Sequence, residues 1–243
     1  MFIKKYLLLL FLLAVVGHGQ AEANLPPFFQ VSYTLYSNDM KIGLMERKFS
    51  MISDNSYLFH SESKTTGFIS IFRDDHIVEQ SKWSYSDQGF IPQTYKYQHT
   101  GGKKDRFVDI TFNWDKNRIT NKVNDSTWHM DTQAGILDKL LYQLTIMSDL
   151  KSGKVPENYT IADGGKIKNY YFEHIADEVI ETPIGKFKAM KIERRKENSD
   201  RKTWFWCAYE LDFLPVKVVI TEKKGRLTTA VIEEFNKQPT QSN

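Results

Sequence analysis

One segment most constrains what this chain can fold into: residues 136–150 carry a sustained helical repeat of apolar side chains. At the helical period, the polar residues of this segment fall on one side: Asp138, Lys139, Gln143, Thr145 and Asp149. A helix with one apolar side has to bury that side against another element, and the surrounding segments alternate like strands. The sequence therefore predicts a helix packed on a β-sheet, with an apolar side made of Ile136, Leu137, Leu140, Leu141, Leu144 and Met147.

The segments after residue 28 alternate between apolar and polar side chains with a period of two, which is typical of half-buried strands. Phe29, Val31 and Tyr33 begin the first of these strands, and Asn38-Asp39 then forms a turn. About ten to twelve short strands are expected, and sheets of that size curl or close. We therefore expect a mainly β protein, in which a single strongly curved or partly closed antiparallel sheet, a half-barrel, is wrapped around one amphipathic helix.

Three further expectations concern local segments. Residues 66–72 are predicted to form a short helix or lid, although their spacing also fits a strand or a loop. Pro92 and Pro215 are expected in edge strands, because proline cannot donate a hydrogen bond to a neighbouring strand. One β-rich domain is predicted over residues 24–236, followed by a disordered tail at 237–243.

The N-terminal residues 1–23 have the pattern of a secretory signal peptide. Lys4 and Lys5 precede an apolar run, and Ala21 and Ala23 supply small residues for cleavage. The apolar run is shorter than the roughly 20 residues that span a bilayer, which argues against an uncleaved anchor. No cysteine follows the run, so a lipoprotein is not expected. The sequence predicts a soluble periplasmic protein with no transmembrane segment after signal cleavage.

No motif identifies a catalytic, cofactor or metal site. Cys207 is the single cysteine and is expected to be a buried, unreactive thiol. The five histidines of the mature chain lack the spacing of a zinc site, and Asp75 and His76 would point to opposite faces of a strand. No nucleophile elbow is present, and a net charge of +3 does not favour nucleic acid. We therefore expect no enzyme activity, no cofactor, no metal and no nucleic-acid partner.

The aromatic content of 16 Phe, 12 Tyr and 5 Trp has two interpretations. The rings fill a packed core, which would suit an interaction or scaffolding protein of the cell envelope. Alternatively, the curved sheet leaves room beneath the helix for an apolar or lipid-like ligand. A hydrolase is a third option and would require two carboxylates, or a histidine and a carboxylate, in a cleft. The second interpretation predicts a ligand site lined by Phe68, Phe72, Phe112, Trp114, Leu137, Leu140, Leu141 and Leu144.

Several local patterns together resemble a family of exported bacterial proteins known as domain of unknown function 3108. The most specific pattern is the segment 182–192, in which Pro183 and Gly185 would set the register of a hairpin. The resemblance implies no catalytic residues. Its other matching segments are Tyr33 with Ile42-Gly43, Gly89-Phe90-Ile91-Pro92, Ile136-Leu137-Asp138, and Trp206 followed by Leu214-Pro215-Val216.

The expected architecture is also similar to that of periplasmic lipoprotein carriers. Those proteins hold acyl chains in an unclosed barrel beneath helical lids. This likeness is one of architecture alone, and fold does not determine function. The chain departs from the carriers because only one helix is predicted, where they use more.

Overall fold

The computed structural model describes residues 25–67, 70, 74–197, 199–221 and 225–239. These residues form a mainly β protein in which fifteen strands make one sheet, with a single α-helix in the described part. The first eight strands are β1 (Phe29–Ser37), β2 (Met40–Ser53), β3 (Ser56–Thr65), β4 (His76–Ser86), β5 (Gly89–Thr100), β6 (Arg106–Asn113), β7 (Arg118–Val123) and β8 (Ser126–Asp131).

The helix separates a two-residue strand from the second group of strands. The remaining elements are β9 (Leu137–Asp138), α1 (Tyr142–Lys151), β10 (Asn158–Ala162), β11 (Ile167–Thr182), β12 (Gly185–Lys196), β13 (Ser199–Ala208), β14 (Leu214–Thr221) and β15 (Leu227–Lys237). A short 3-10 turn, Tyr209–Leu211, joins β13 to β14.

The sheet is continuous, and its strands follow the order β8-β7-β6-β5-β4-β3-β2-β1-β15-β14-β13-β12-β11-β10-β9. Every pairing is antiparallel except that of β9 with β10, which is parallel. The sheet is not closed, because β8 and β9 stand at its two ends. It is nevertheless bent, since β9 contacts β5 of the other half and Asp138 bonds Ser81 on β4.

The predicted class, mainly β with one large sheet, is confirmed, but the number of strands is fifteen rather than ten to twelve. β9 pairs through only two residues, which is too short for a period-two pattern. The longest strand in the described part, β11, has 16 residues, and its register shifts at a bulge between His174 and Ala176.

Aromatic side chains on the inner face of the first strands form much of the core. The rings of Tyr57 and Trp83 stack with centroids 4.6 Å apart, and Phe49 stacks on Trp83 at 5.6 Å. The buried hydroxyl of Tyr33 donates a hydrogen bond of 2.9 Å to the carbonyl of Pro215, which ties β1 to β14. The core is therefore shared by both halves of the sheet.

The helix is shorter than predicted, because it begins at Tyr142 rather than at residue 136. Leu137 and Asp138 pair with β10 as a strand. The carboxylate of Asp138 then accepts hydrogen bonds of 2.8 Å from the backbone N–H groups of Leu140 and Leu141, which fixes a turn before the helix. The apolar residues within 136–141 are buried in this strand and turn. Their spacing in the sequence therefore resembles that of the apolar side of a helix.

The predicted amphipathic character of the helix is not found. Five consecutive residues, Leu144 to Ser148, are buried, so the middle of the helix has no solvent-facing side. The helix ends at a glycine: Gly153 has a φ of +79°, and its N–H donates to the carbonyl of Leu150.

The two prolines lie in interior strands, contrary to the expectation of edge strands. Pro92 faces Trp83 where the β4–β5 register shifts, and the β5–β6 pairing starts only at Thr94. Pro215 faces Cys207 where the β13–β14 register shifts, and the β14–β15 pairing starts only at Lys217. Both positions therefore avoid a ladder hydrogen bond within the sheet, which removes the need for an edge.

Some predictions concern residues that the structure does not describe. The signal peptide at 1–23 lies outside the described residues, and so do Phe68 and Phe72 of the predicted lid. At the other end, β15 continues to Lys237 and the N–H of Gln238 donates to the carbonyl of Phe28. The domain division at residues 23 and 236 stays a prediction.

Candidate functional site

The ends of β1, β3, β5 and β15 surround a cavity of about 430 Å³ at one end of the sheet. We call it the mouth cavity. Ser63, Ile77 and His99 lie directly opposite one another on β3, β4 and β5, so they share the inner face of the sheet. The apolar lining comes mainly from Leu35, Met40, Ile42 and Ile77.

Polar residues form the rest of the mouth cavity, among them Asp75, His99 and Arg226. Lys64 follows Ser63 on β3, so its side chain lies on the outer face, where it pairs with Glu62 at 2.6 Å. An apolar surface with a few charged groups at its edge is the usual composition of a ligand pocket, and the volume lies within the roughly 300–1,000 Å³ of such pockets. The arrangement can accept an apolar group and orient a polar one.

Asp75 and His99 form a largely buried pair in this cavity. Oδ1 of Asp75 lies 2.7 Å from Nε2 of His99. Gly102 leaves room for the pair, because a Cβ atom at this glycine would stand 3.0 Å from the Asp75 carboxylate. This is the histidine–carboxylate pair that a hydrolase would require. Among the described residues, however, no Ser, Thr or Cys side chain is hydrogen-bonded to His99 as a nucleophile would be.

A second cavity of about 160 Å³, the side cavity, lies between the inner faces of β5 and β6 and the turn that joins β10 to β11. It is lined by Tyr95, Tyr97, Arg106, Val108, Lys139 and Asp163, together with Gly164. The ammonium of Lys139 stands 5.1 Å from the centre of the Tyr97 ring and 3.5 Å from Oε1 of Glu79. The charge of Glu79 raises the pKa of Lys139.

Asp163 of the side cavity is held by two lysines. Its Oδ2 atom accepts hydrogen bonds from Lys168 at 2.7 Å and Lys196 at 2.6 Å, and from the Tyr170 hydroxyl at 3.0 Å. Burial opposes the ionisation of Asp163, but the two ammonium groups outweigh burial and hold its pKa well below its usual range. This carboxylate is therefore ionised, and its Oδ2 atom accepts three hydrogen bonds.

Tyr95 lines the side cavity at its inner end, and Asp138 lies deeper, beneath the cavity. The Tyr95 hydroxyl donates a hydrogen bond of 2.5 Å to Glu79, and burial together with this carboxylate raises the pKa of the tyrosine. Asp138 is fully buried, and burial raises its pKa to about 6. Ser81 donates to it at 2.5 Å. The floor of the side cavity is thus a polar network that joins the two halves of the sheet.

The predicted ligand-lining residues lie apart from both cavities, so far as the structure describes them. Trp114 is half-buried, stacks on Phe112 and donates from Nε1 to the carbonyl of Pro92 at 2.9 Å. Beside Leu144 the structure leaves only about 10 Å³, less than one water needs. A ligand between helix and sheet would require this core to open. The ligand-lining role stays a prediction for Phe112, Trp114, Leu137, Leu140, Leu141 and Leu144, and for the undescribed Phe68 and Phe72.

Other predictions about chemistry can be compared with the structure. Cys207 is buried as expected, and burial raises its pKa to about 12. His76 bonds Glu62 whereas Asp75 bonds His99, so these neighbours do point to different partners. No group of three potential metal-ligating side chains is present within the described ranges. In the same ranges, no helix is long and apolar enough to cross a membrane.

Sequence patterns do not identify Lys139, Arg106 or the Asp75–His99 pair as site residues. The helical repeat predicts Lys139 on the polar side of a helix, but the helix begins only at Tyr142. The pair comes from two strands, and its contact depends on the β4–β5 register, which periodicity does not reveal. One usable signal was present: Tyr95, Tyr97 and His99 are spaced by two residues, which places them on one face of a strand.

Comparisons with known proteins support the fold and a family. A family model described as "Protein of unknown function (DUF3108)" matches residues 29–231 and confirms the resemblance. No curated protein matches the chain. A beta-barrel-like protein of domain of unknown function DUF1849 from Brucella abortus is 8% identical and has a TM-score of 0.58, with 88% of this chain and 99% of that one covered.

A second solved structure is less similar. It is a provisionally described lipoprotein from Parabacteroides distasonis, which is 12% identical with a TM-score of 0.37 over 88% of this chain and 98% of that one. The Brucella protein shows a common barrel-like fold and no more at its level of identity. The Parabacteroides protein is too dissimilar to support an argument.

Proposed function

Because this chain belongs to the DUF3108 family of proteins of unknown function, its function has to be inferred from its own site, and we propose that it is a periplasmic, non-catalytic binding protein. Its ligand is an amphiphile whose apolar part enters the mouth cavity. The observation that carries this proposal is the mostly apolar cavity of about 430 Å³, which also holds Asp75, His99 and Arg226.

We place the ligand in the mouth cavity rather than beneath the helix because the free volume is there. The helix meets both halves of the sheet: Gln143 accepts a hydrogen bond from Arg47 on β2, and Tyr142 packs edge-on against Phe205 on β13. These contacts support a sheet that wraps the helix and fills the space between helix and sheet. The mouth cavity, which lies at the strand ends, is then the entrance for the ligand.

A dansyl-labelled fatty acid tests the proposal. We expect saturable binding with increased dansyl fluorescence, because the label or the acyl chain leaves water for the mouth cavity. Ile77→Trp fills the cavity and should weaken binding roughly tenfold or more. Val179→Trp is the matched control, because this side chain is 70% exposed on β11. Absence of uptake by the unmodified protein, or equal binding by both variants, would refute the proposal.

Export to the periplasm rests on the signal-like pattern of residues 1–23. The intact mass of protein purified from the producing cell tests it. We expect a chain that begins at residue 24 with an unmodified N-terminus. A mass that retains residues 1–23, or that includes an attached lipid, would contradict this part of the proposal.

A scaffolding role in the cell envelope is the second candidate, and the filled interior around Leu144 favours it. Large apolar side chains on the outside would then form the working surface, with Val179 at 70% exposure as the clearest example. A photo-crosslinker at position 179 distinguishes the two functions. Capture of one defined protein in cells, together with no fatty-acid binding by the purified protein, would replace the binding function with this one.

A further inference from the structure

The side cavity carries more positive than negative charge. The guanidinium of Arg106 has no hydrogen bond or ion pair in the part of the chain that the structure describes. It lies beside Gly164, where a Cβ atom would come within 3.2 Å of Nη2. Among the described residues, Lys139 makes a single hydrogen bond, the 3.5 Å contact with Glu79, which leaves two of its three donors available. Both cations line the cavity.

The nearby carboxylates do not neutralise these two cations. Asp163 already serves Lys168 and Lys196, and Glu79 is shared between Lys139 and the Tyr95 hydroxyl. The surroundings therefore hold four cationic groups against three carboxylates: Arg106, Lys139, Lys168 and Lys196 against Glu79, Asp163 and the deeper Asp138. An anion entering the cavity would find a favourable potential and unused donors.

We propose that the side cavity binds one phosphate-like oxyanion, with Arg106 and Lys139 as its ligands. A guanidinium pairs with phosphate through two parallel hydrogen bonds, and an ammonium adds a compact point charge. The volume of about 160 Å³ has room for a tetrahedral oxyanion but lies below the roughly 300–1,000 Å³ of pockets that hold larger ligands, which argues against a large headgroup.

The position of the side cavity indicates how the oxyanion relates to the rest of the ligand. His99 of the mouth cavity and Tyr97 of the side cavity touch edge-to-face, with ring centroids 6.4 Å apart. Two residues along a strand span roughly 7 Å. One amphiphile can therefore place its chain in the mouth cavity and its phosphate in the side cavity. This assignment of the headgroup rests on the proposed function; the oxyanion site itself does not.

Three probes distinguish an oxyanion carried by a lipid headgroup from free phosphate. They are lysophosphatidic acid, a monoacylglycerol with the same acyl chain, and inorganic phosphate. Binding of each to the full-length mature protein is measured by isothermal titration calorimetry. We expect the phosphate-bearing lipid to bind roughly tenfold or more tightly than the neutral lipid, because charge-assisted hydrogen bonds are made only by the former. Arg106→Gln and Lys139→Gln should each remove most of this difference.

Lys122→Gln is the matched control, because Lys122 is an exposed cation on β7 that does not line the side cavity. Arg106 is itself exposed, so its substitution should leave the circular dichroism spectrum and the urea midpoint unchanged. Equal affinity for the two lipids, unaffected by Arg106→Gln, would overturn the oxyanion site and leave the mouth cavity's function intact. Binding of inorganic phosphate alone, weakened by Arg106→Gln, would support the oxyanion site and overturn the proposal that the ligand is an amphiphile. Binding of no probe would overturn both.

Discussion

Asp138 is a fully buried carboxylate that three polar groups hold in place. Ser81 donates to Oδ2, and the backbone N–H groups of Leu140 and Leu141 donate to Oδ1. Burial outweighs these hydrogen bonds and raises the pKa of Asp138 from 3.8 to about 6. The side chain therefore takes up a proton on folding between these two pH values.

The sign of this shift predicts how stability depends on pH. A carboxyl group with a raised pKa contributes stability that is full below pH 3.8 and is lost as pH rises through about 6. Asp138→Asn resembles the protonated acid and should lack this dependence. Relative to the variant, the unmodified protein should lose about 3 kcal/mol between pH 3.5 and pH 7.5, at roughly 1.4 kcal/mol per pKa unit. Urea unfolding across this range measures the difference.

Comparison of the two proteins at each pH cancels the contributions of other groups. Asp163 acts in the opposite direction, because its lowered pKa gives stability that is present at neutral pH and is lost in acid. That contribution is common to both proteins. Parallel stability curves for the unmodified protein and Asp138→Asn would show that the Asp138 carboxyl does not change its protonation on folding.

Among the elements, the helix differs most from what its sequence predicts. Thr145 was assigned to a polar side, yet it is 9% exposed and its hydroxyl donates back to the carbonyl of Leu141. Thr145→Lys should therefore bury a charge without a partner and cost more than about 3 kcal/mol in the free energy of unfolding. Urea unfolding is the measurement.

Ser152→Lys is the control for this substitution, because Ser152 is exposed at the end of the same helix. We expect it to cost less than about 1 kcal/mol, mainly through the lost hydrogen bond to the carbonyl of Asp149. Equal stability of the two lysine variants would mean that position 145 faces solvent, as the helical repeat in the sequence predicts.

The contrast between strands and helix shows what periodicity can and cannot predict. The β1–β2 hairpin was predicted correctly because alternation and the Asn38-Asp39 turn act locally. Leu137 and Asp138 were not, because their strand exists only through pairing with β10, which lies beyond the helix. The prolines lie in interior strands at register shifts, and such a shift depends on how two strands pair, which the residues of one strand do not determine.

The site was less predictable than the fold for a related reason. Its groups come from different strands, and registers bring them together: Asp75 reaches His99 across the β4–β5 pair. Lys139 contacts Glu79 only because the sheet is bent, which brings β9 against β5 of the other half. Such contacts depend on the curvature of the whole sheet, which alternation along one strand does not encode.

For the molecule as a whole, side chains rather than backbone pairing join the two ends of the open sheet. Nε1 of Trp128 on β8 donates a hydrogen bond of 3.0 Å to the carbonyl of Gly165, in the turn after β10. Together with the Ser81–Asp138 bond, this contact joins the two ends of a sheet that has no strand pairing across the gap in its described part. The barrel-like shape should therefore be sensitive to substitutions at this seam.

Gly165→Ala tests that sensitivity. A Cβ atom at Gly165 would lie 1.8 Å from the indole of Trp128, so the ring has to move, and the φ of +86° adds strain. Gly153→Ala is the matched control, since its φ is +79° and no atom lies within 4 Å of the added carbon. We expect a loss of about 1 kcal/mol for Gly153→Ala and about 3 kcal/mol for Gly165→Ala in urea unfolding. Hydrogen exchange should quicken in β8 and residues 163–166 but not in β1. Equal losses for the two variants, with unchanged exchange in β8, would mean that the Trp128 contact does not hold the ends of the sheet together.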